Sequence, residues 1–368
     1  MEFKVDLQER ALWSAWEDLS VEFERLLAAA QEGGSTLSEC RTTASRIDFT
    51  DDDSWYREWK AIADTSHERG DAALGNGHVV TARSNWLRAT NYYRAAIYVL
   101  DPTGAPHQAA VTSMRECAAK YLRYGKPAGE VVLIPWSCGY PLEGYFLPAP
   151  AASKRAPAVI CIGEPGHRKE EYLSKVARHA NDRGMSLLAV DLLGAGAASR
   201  FEEVVGRSDL ETAIGHIADY LVERDDVDAD RIAIVAEGWG SSFVARGIAF
   251  DDRFAAAVCD GGIWDIHERS FLRDRIASRD GNIVPPPIVS RVARNIKCPV
   301  LVCAGERGWL KAARVRELYD GLKRDGRDID LKIFTSEETA AAQGHADNPT
   351  LANEFIFDWI ASRLGIAE

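Results

Sequence analysis

The chain has 368 residues, 46% of them hydrophobic, which is enough for a large core and a second, smaller unit. A formal net charge of −12 and a pI near 5.3 argue against nucleic acid or an anionic membrane as its main partner. No run approaches the ~18 apolar residues needed to cross a bilayer, and the opening MEFKVDLQERALW is too charged for a signal peptide. The seven cysteines are scattered without metal-ligand spacing, several inside apolar runs such as VICIG, so a reduced cytoplasm and a cofactor-free protein are the expectation.

Residues 1–127 read as helix. Apolar residues recur at helical spacing from Trp55 to Leu74, where Gly75-Asn76-Gly77 stops the helix. The acidic run Asp51-Asp52-Asp53 ahead of it suits a helix N-terminus. A second helix is expected from about Val79 to Leu100, ended by Asp101-Pro102, and a third from about Gln108 to Tyr124. Short connections between long helices predict antiparallel packing in a small helical domain.

From about residue 128 the rhythm changes. EVVLIPW and YPLEGYFLPAP read as antiparallel strands, followed by APAVICIG, SLLAVDLLG, RIAIVAEG, AAAVCDGG, PVLVCAGE and DLKIF. Helices are expected between them at about Glu171–Arg183, Asp209–Arg224, Trp239–Ala249, Ala312–Arg324 and Pro349–Leu364. Eight apolar strands alternating with helices imply a mostly parallel sheet covered on both faces. Chemistry then belongs at the carboxyl ends of the strands, in loops such as GEPGHRKEE, EGWGSS, DGGIWD and GERGWL.

RIAIVAEGWGSSFVAR has the outline of a strand, a sharp turn and a helix, the context in which a G-x-S-x-G elbow exposes a nucleophilic serine. Laid over it, Ala236-Glu237-Gly238-Trp239-Gly240 puts Gly238 where the serine should stand. Glycine tolerates the elbow's backbone angles, so the turn survives without its nucleophile. Ser241 and Ser242 lie in the following helix, where packing is their plainer role.

This outline resembles the α/β-hydrolase fold, and the remaining parts can be placed on what that fold implies. His345, in Gly344-His345 before the terminal helix, matches the general base. The acid's usual turn holds Gly308, leaving two stand-ins: Asp260 at the end of AAAVCD, which we favour, and Glu306, two residues early. Oxyanion donors would be the backbone N–H groups of Trp239 and Glu164. The Glu164 carboxyl would oppose a developing anion if ionised and serve as a general acid if burial raised its pKa; a salt bridge to Arg168 or His167 is the plainer alternative.

Two stretches carry a narrower resemblance. ERGDAALGNGHVVTARSNWLRATNYYRAAIY is similar to the G-H-x-x-S-A-R…Y-L-R-A-x-N-Y-Y-R pattern of the 2,6-dihydroxypseudooxynicotine hydrolase-like group, and VICIGEPGHRKEEY to its strand and K-E-E-Y loop. Relatives include fungal polyketide-shortening hydrolases and, more distantly, FrsA-like esterases. The resemblance implies a helical cap over residues 1–127 and a hydrolase core over 128–368. It also implies a pocket between them, with Tyr92, Tyr93, Trp264 and Trp309 as its lining, Trp86 and Tyr98 as further aromatics, and a small-molecule substrate of polyketide-like or aromatic ketone type. Members use Ser-Asp-His to cleave C–C bonds beside ketones, or esters, and dimerisation through the cap is common among them. Gly238 and Gly308 depart from that pattern together, which favours divergence of the whole site over a single engineered change. The expectation is a cofactor-independent enzyme without a serine nucleophile; a binding protein that keeps the pocket, or a hydrolase with its nucleophile moved to Ser241, are the alternatives.

Overall fold

The computed structural model describes residues 17–48, 50–51, 53–136, 141–150, 155–163, 167–191, 210–238, 240–261, 293–308 and 311–366. Two compact units divide at Cys117/Ala118, inside a helix rather than at residue 127.

The first unit contains α1 (Glu17–Ala28), α2 (Leu37–Ala44), α3 (Ser54–Gly75), α4 (Val79–Ile97) and the start of α5 (Ala105–Arg123). The helix expected from Trp55 starts one residue earlier, and its acidic lead works differently from a cap. Asp53 makes no side-chain cap bond, while Asp51 pairs with Arg57 at 2.9 Å. Trp55, Trp59, Trp86, Tyr92 and Tyr93 are all buried, each such side chain contributing about 1.5–3 kcal/mol of burial. Their polar atoms find partners inside the unit: Trp55 Nε1 donates to Ala95 O at 2.8 Å and Trp86 Nε1 to Asp71 Oδ1 at 2.9 Å. Buried Arg94 pairs with buried Glu22.

The second unit is built on an eight-stranded sheet in the order β1-β2-β4-β3-β5-β6-β7-β8. The strands are β1 (Glu130–Ile134), β2 (Leu142–Leu147), β3 (Ala156–Ile162), β4 (Ser186–Asp191), β5 (Val227–Glu237), β6 (Ala256–Asp260), β7 (Val300–Gly305) and β8 (Ile329–Phe334). Only β2 runs antiparallel to its neighbours β1 and β4; the other adjacent strands are parallel. β3, β4 and β7 are buried along their whole length, as continuous apolar runs require. The interleaved helices are α6 (Lys169–Lys175), α7 (Ala177–Asp182), α8 (Leu210–Val222), α9 (Gly240–Ile248), α10 (Ala312–Arg324) and α11 (Pro349–Arg363). The single helix expected over Glu171–Arg183 is in fact α6 and α7, broken at Val176, whose ψ of −14° with φ of −129° leaves the helical region.

One face of the sheet carries Ile232, Ile234 and Ala236 of β5, which join Ala213, Ile214, Ile217 of α8 and Phe243, Val244 of α9 in the main core. Alternation then turns Glu237, the last residue of β5, to the opposite face. Cys40, Cys117, Cys161, Cys259 and Cys303 are buried free thiols and Cys298 a half-buried one. Among the described residues no helix is long and apolar enough to cross a membrane, and no cluster of His, Cys, Asp or Glu suits a metal ion.

Candidate active site

The carboxyl ends of β5 and β6 meet through their backbones. Gly238, immediately after β5, has φ of +50°, and its N–H donates to Asp260 O at 2.7 Å. Gly261, immediately after β6, has φ of +109°, and a Cβ there would stand 3.1 Å from the Gly238 Cα. Both turns need the left-handed region and mutual approach, which glycine supplies without strain. The strand–turn–helix outline expected around Gly238 is present, with α9 following one residue on. The hydroxyls of α9 are not presented at this turn. Ser241 Oγ donates to Ala236 O at 3.1 Å and to Asp260 O at 3.2 Å, and Ser242 Oγ is buried without a hydrogen-bond partner.

His345 lies in the loop between β8 and α11, and its Nε2 stands 2.8 Å from Asp260 Oδ1. Its Nδ1 stands 2.6 Å from Ala340 O. A carbonyl oxygen only accepts, so Nδ1 carries a proton. A carboxylate facing Nε2 favours a proton there as well, so the arrangement favours the charged form of the ring. Burial opposes the charge on His345, but the Asp260 carboxylate, its hydrogen bond and the Ala340 carbonyl outweigh it and raise the pKa above 6.5. Phe334 of β8 packs edge-on against the ring at a centroid distance of 4.9 Å.

The histidine loop holds unusual backbone. Thr339, Ala340 and His345 have φ of +72°, +56° and +56°, a conformation that costs a non-glycine residue of order 1–3 kcal/mol. Asp347 secures it: its carboxylate accepts from Ala341 N at 3.1 Å and Ala342 N at 3.0 Å and pairs with Arg307 at 3.0 Å. Gly305 at the end of β7 lets this loop lie against the sheet, since a Cβ there would come within 2.4 Å of Ala341 O. Asn348 then caps α11 through its side chain, which accepts from Leu351 N at 3.2 Å.

Of the two stand-ins for the acid, Asp260 faces the histidine. Glu306 instead accepts from Ser336 N at 2.8 Å and Ser336 Oγ at 2.9 Å, bonds that lower its pKa while leaving it turned to the β8 side. At the vacant acid position, a Cβ on Gly308 would stand 3.1 Å from Gln343 Oε1, so the glutamine amide fills the space. Glu164, Trp239, Trp264 and Trp309 lie outside the described residues. Tyr92 and Tyr93 are interior to the helical unit: Tyr92 OH donates to Glu39 at 2.8 Å and accepts from Thr36 N at 3.0 Å, and Tyr93 OH donates to Asp64 at 2.7 Å. Trp86 is likewise buried there, and Tyr98 is exposed. The phenols expected to meet a substrate thus have their polar groups engaged inside the bundle.

Sequence reasoning passed over a second ionic group. Glu237 pairs with Lys175 Nζ at 2.7 Å and His167 Nδ1 at 3.4 Å, one carboxylate oxygen to each. Burial would raise its pKa, but Lys175 and His167 outweigh burial and hold it well below the usual carboxylate range. A lone glutamate ending the apolar run RIAIVAEG was the available signal, since a buried carboxylate must find partners. The K-E-E-Y stretch has a similar structural purpose. Buried Lys169 Nζ reaches Asp191 at 2.9 Å, Glu170 at 3.1 Å and Glu143 at 3.2 Å, and Tyr145 OH donates to Glu170 at 2.7 Å.

The comparisons with known proteins agree with this architecture. Residues 37–274 match the family model described as esterase FrsA-like. The hydrolyase poxO of Penicillium oxalicum is 29% identical over 274 residues, covering 71% of this chain and 64% of that protein. The 20-hydroxy-prefusarin hydrolase FUS2 of Gibberella moniliformis is 29% identical over 269 residues, covering 70% and 63%. The chain therefore spans slightly less than two thirds of the length of these curated relatives. Among solved structures, the 2,6-dihydroxy-pseudo-oxynicotine hydrolase superposes with a TM-score of 0.72 at 17% identity, covering 92% of this chain and 95% of that one, which is a likeness of fold. With its eight-stranded sheet and a family match over more than half its length, the chain belongs to the FrsA-like esterase family of α/β-hydrolase-fold proteins.

Proposed function

We propose that this protein is a cofactor-independent enzyme of specialised metabolism that acts on a polyketide-like or aromatic ketone by proton transfer, without a covalent serine intermediate. The observation that carries the reading is the glycine at the β5 turn, beside the strand that bears the buried Asp260–His345 pair, with the α9 hydroxyls turned inward. A pair of this kind moves protons next to a carbonyl, and it lacks the serine hydroxyl that forms the usual acyl-enzyme. Cyclisation, dehydration, isomerisation or C–C cleavage by directly activated water all fit that chemistry. The names of the fungal relatives, hydrolyase and hydrolase, are consistent with water entering or leaving the substrate. The positive φ values around His345 support a functional reading, because strain of this kind persists where a site requires it.

The test joins two measurements. Wild-type protein is treated with a serine-directed fluorophosphonate and, separately, with a panel of aromatic β-diketones and p-nitrophenyl esters. The expected outcome is no labelling, conversion of a diketone, and loss of that conversion in Asp260→Asn. Labelling of the wild type would show a nucleophile elsewhere and overturn the reading. A panel that binds but is never converted would favour a small-molecule-binding protein.

A further inference from the structure

We propose that Asp260 is the group that takes the substrate's proton, and that His345 is a fixed cationic partner that positions it. This reverses the usual assignment, in which the carboxylate orients the histidine and the histidine is the base. It rests on the proton-transfer reading above and names the atom that does the work.

The argument starts from lone pairs. A histidine acts as a base only through a ring nitrogen that carries no proton and faces the reacting group. Here Nδ1 is held by Ala340 O and Nε2 by Asp260 Oδ1, so both nitrogens already have partners. The ring is not free to exchange these partners at no cost. Ala340 is fixed by the same left-handed backbone as His345, Asp347 secures the two residues after Ala340, and Phe334 closes on the ring edge. The charged groups that act on the imidazole are Asp260 of β6 and, with the opposite sign, Lys175 of α6.

Asp260 is differently placed. Oδ1 accepts from His345, and no hydrogen bond reaches Oδ2 among the described residues. Oδ2 is also absent from the fully enclosed polar atoms that lack partners, and the residue retains a 6% exposure. Its backbone carbonyl receives the Gly238 N–H at 2.7 Å, which ties the end of β6 to the turn where an elbow serine would stand. A carboxylate whose second oxygen has no partner among the described residues can take a proton from a carbon acid while His345 holds the other oxygen in place. The step balances simply. Oδ2 removes a proton from the carbon next to a ketone, the C–H electron pair forms the enolate C=C, and the carbonyl π pair moves to oxygen. The proton held on Asp260 then returns to carbon or leaves on a departing oxygen.

Two measurements test the assignment. In protein labelled with ¹⁵N-histidine, the His345 signals are identified by their loss in His345→Gln. At pH 6.5 both nitrogens should resonate mainly as an imidazolium in the wild type, and Asp260→Asn should lower the pH at which the ring becomes neutral. In the second, Gly238→Ser is treated with the fluorophosphonate. With no ring nitrogen available to activate it, the new serine should stay unlabelled. A neutral His345 in the wild type, or labelling of Gly238→Ser that disappears in the double variant with His345→Gln, would overturn the proposal. Both readouts are independent of turnover, so an inert diketone panel would count against the function while leaving this assignment standing.

Discussion

Two carboxylates end adjacent parallel strands in register with each other, Glu237 on β5 and Asp260 on β6, and their surroundings differ in one respect. Glu237 has a nitrogen partner on each oxygen, Lys175 Nζ and His167 Nδ1, so its hydrogen-bonding capacity is matched from both sides. Among the described residues Asp260 has a partner on Oδ1 alone. Both are nearly inaccessible, at 6% exposure each, so burial does not distinguish them. A carboxylate matched on both oxygens holds elements together, here the end of β5, α6 and the loop after β3. A carboxylate matched on one oxygen keeps the other for a proton that arrives and departs.

Four outcomes would break or sharpen this comparison. The largest effect on activity should come from Asp260→Asn, which removes a proton acceptor while preserving shape. Diketone conversion should fall by roughly 10²- to 10⁴-fold, the usual weight of a general base, on protein that still folds. A fall of only a few-fold would move the base elsewhere. Glu237→Gln should do the reverse. Breaking a buried ion pair from one side costs about 3–5 kcal/mol, so thermal unfolding should shift down by roughly 6–20 °C in a unit of this size. If the shift is small and conversion collapses instead, the two carboxylates have exchanged roles.

The third outcome concerns pH. The His345 pKa is raised in the folded state, so its contribution to stability is full below about 6.5, the unfolded value, and declines as pH rises through the folded value. The melting-temperature advantage of wild type over His345→Gln should therefore shrink on the alkaline side of 6.5. Glu237 has the opposite sign: its depressed pKa gives a contribution present above about 4.5 that fades under acid. The smallest effect should come from Tyr93→Phe, which removes a hydrogen bond to Asp64 and should cost about 1 kcal/mol. A change in diketone KM without a change in stability would return Tyr93 to a substrate-contacting role.

The sheet was legible because its strands are short apolar runs separated by helical ones, and all eight are present with β1 and β2 as the expected antiparallel pair. Gly238, Asp260 and His345 stood out as candidates because each ends or follows a strand where this fold assembles its chemistry, and the structure pairs two of them. What escaped was partnership across sequence distance. Nothing in the order of residues pairs Glu237 with Lys175, 62 positions away, or turns Gln343 toward Gly308. The direction of the His345 ring escaped for the same reason, being set by the Ala340 carbonyl and a left-handed turn that involves Thr339 and Ala340, residues that rarely adopt it. The aromatic helix misled in the opposite sense. Tyr92 and Tyr93 at helical spacing read equally well as pocket or core, and only their bonds to Glu39 and Asp64 distinguish the two.

The crowding at Gly308 has a consequence for anyone who would re-equip this sheet with other side chains. A Cβ there would stand 3.1 Å from Gln343 Oε1 and from Gly305 O, so a larger residue needs the glutamine to give way. A hydroxyl introduced at 238 would find both ring nitrogens of His345 already bonded. New chemistry at either strand end therefore depends on resetting the neighbours along with the residue itself.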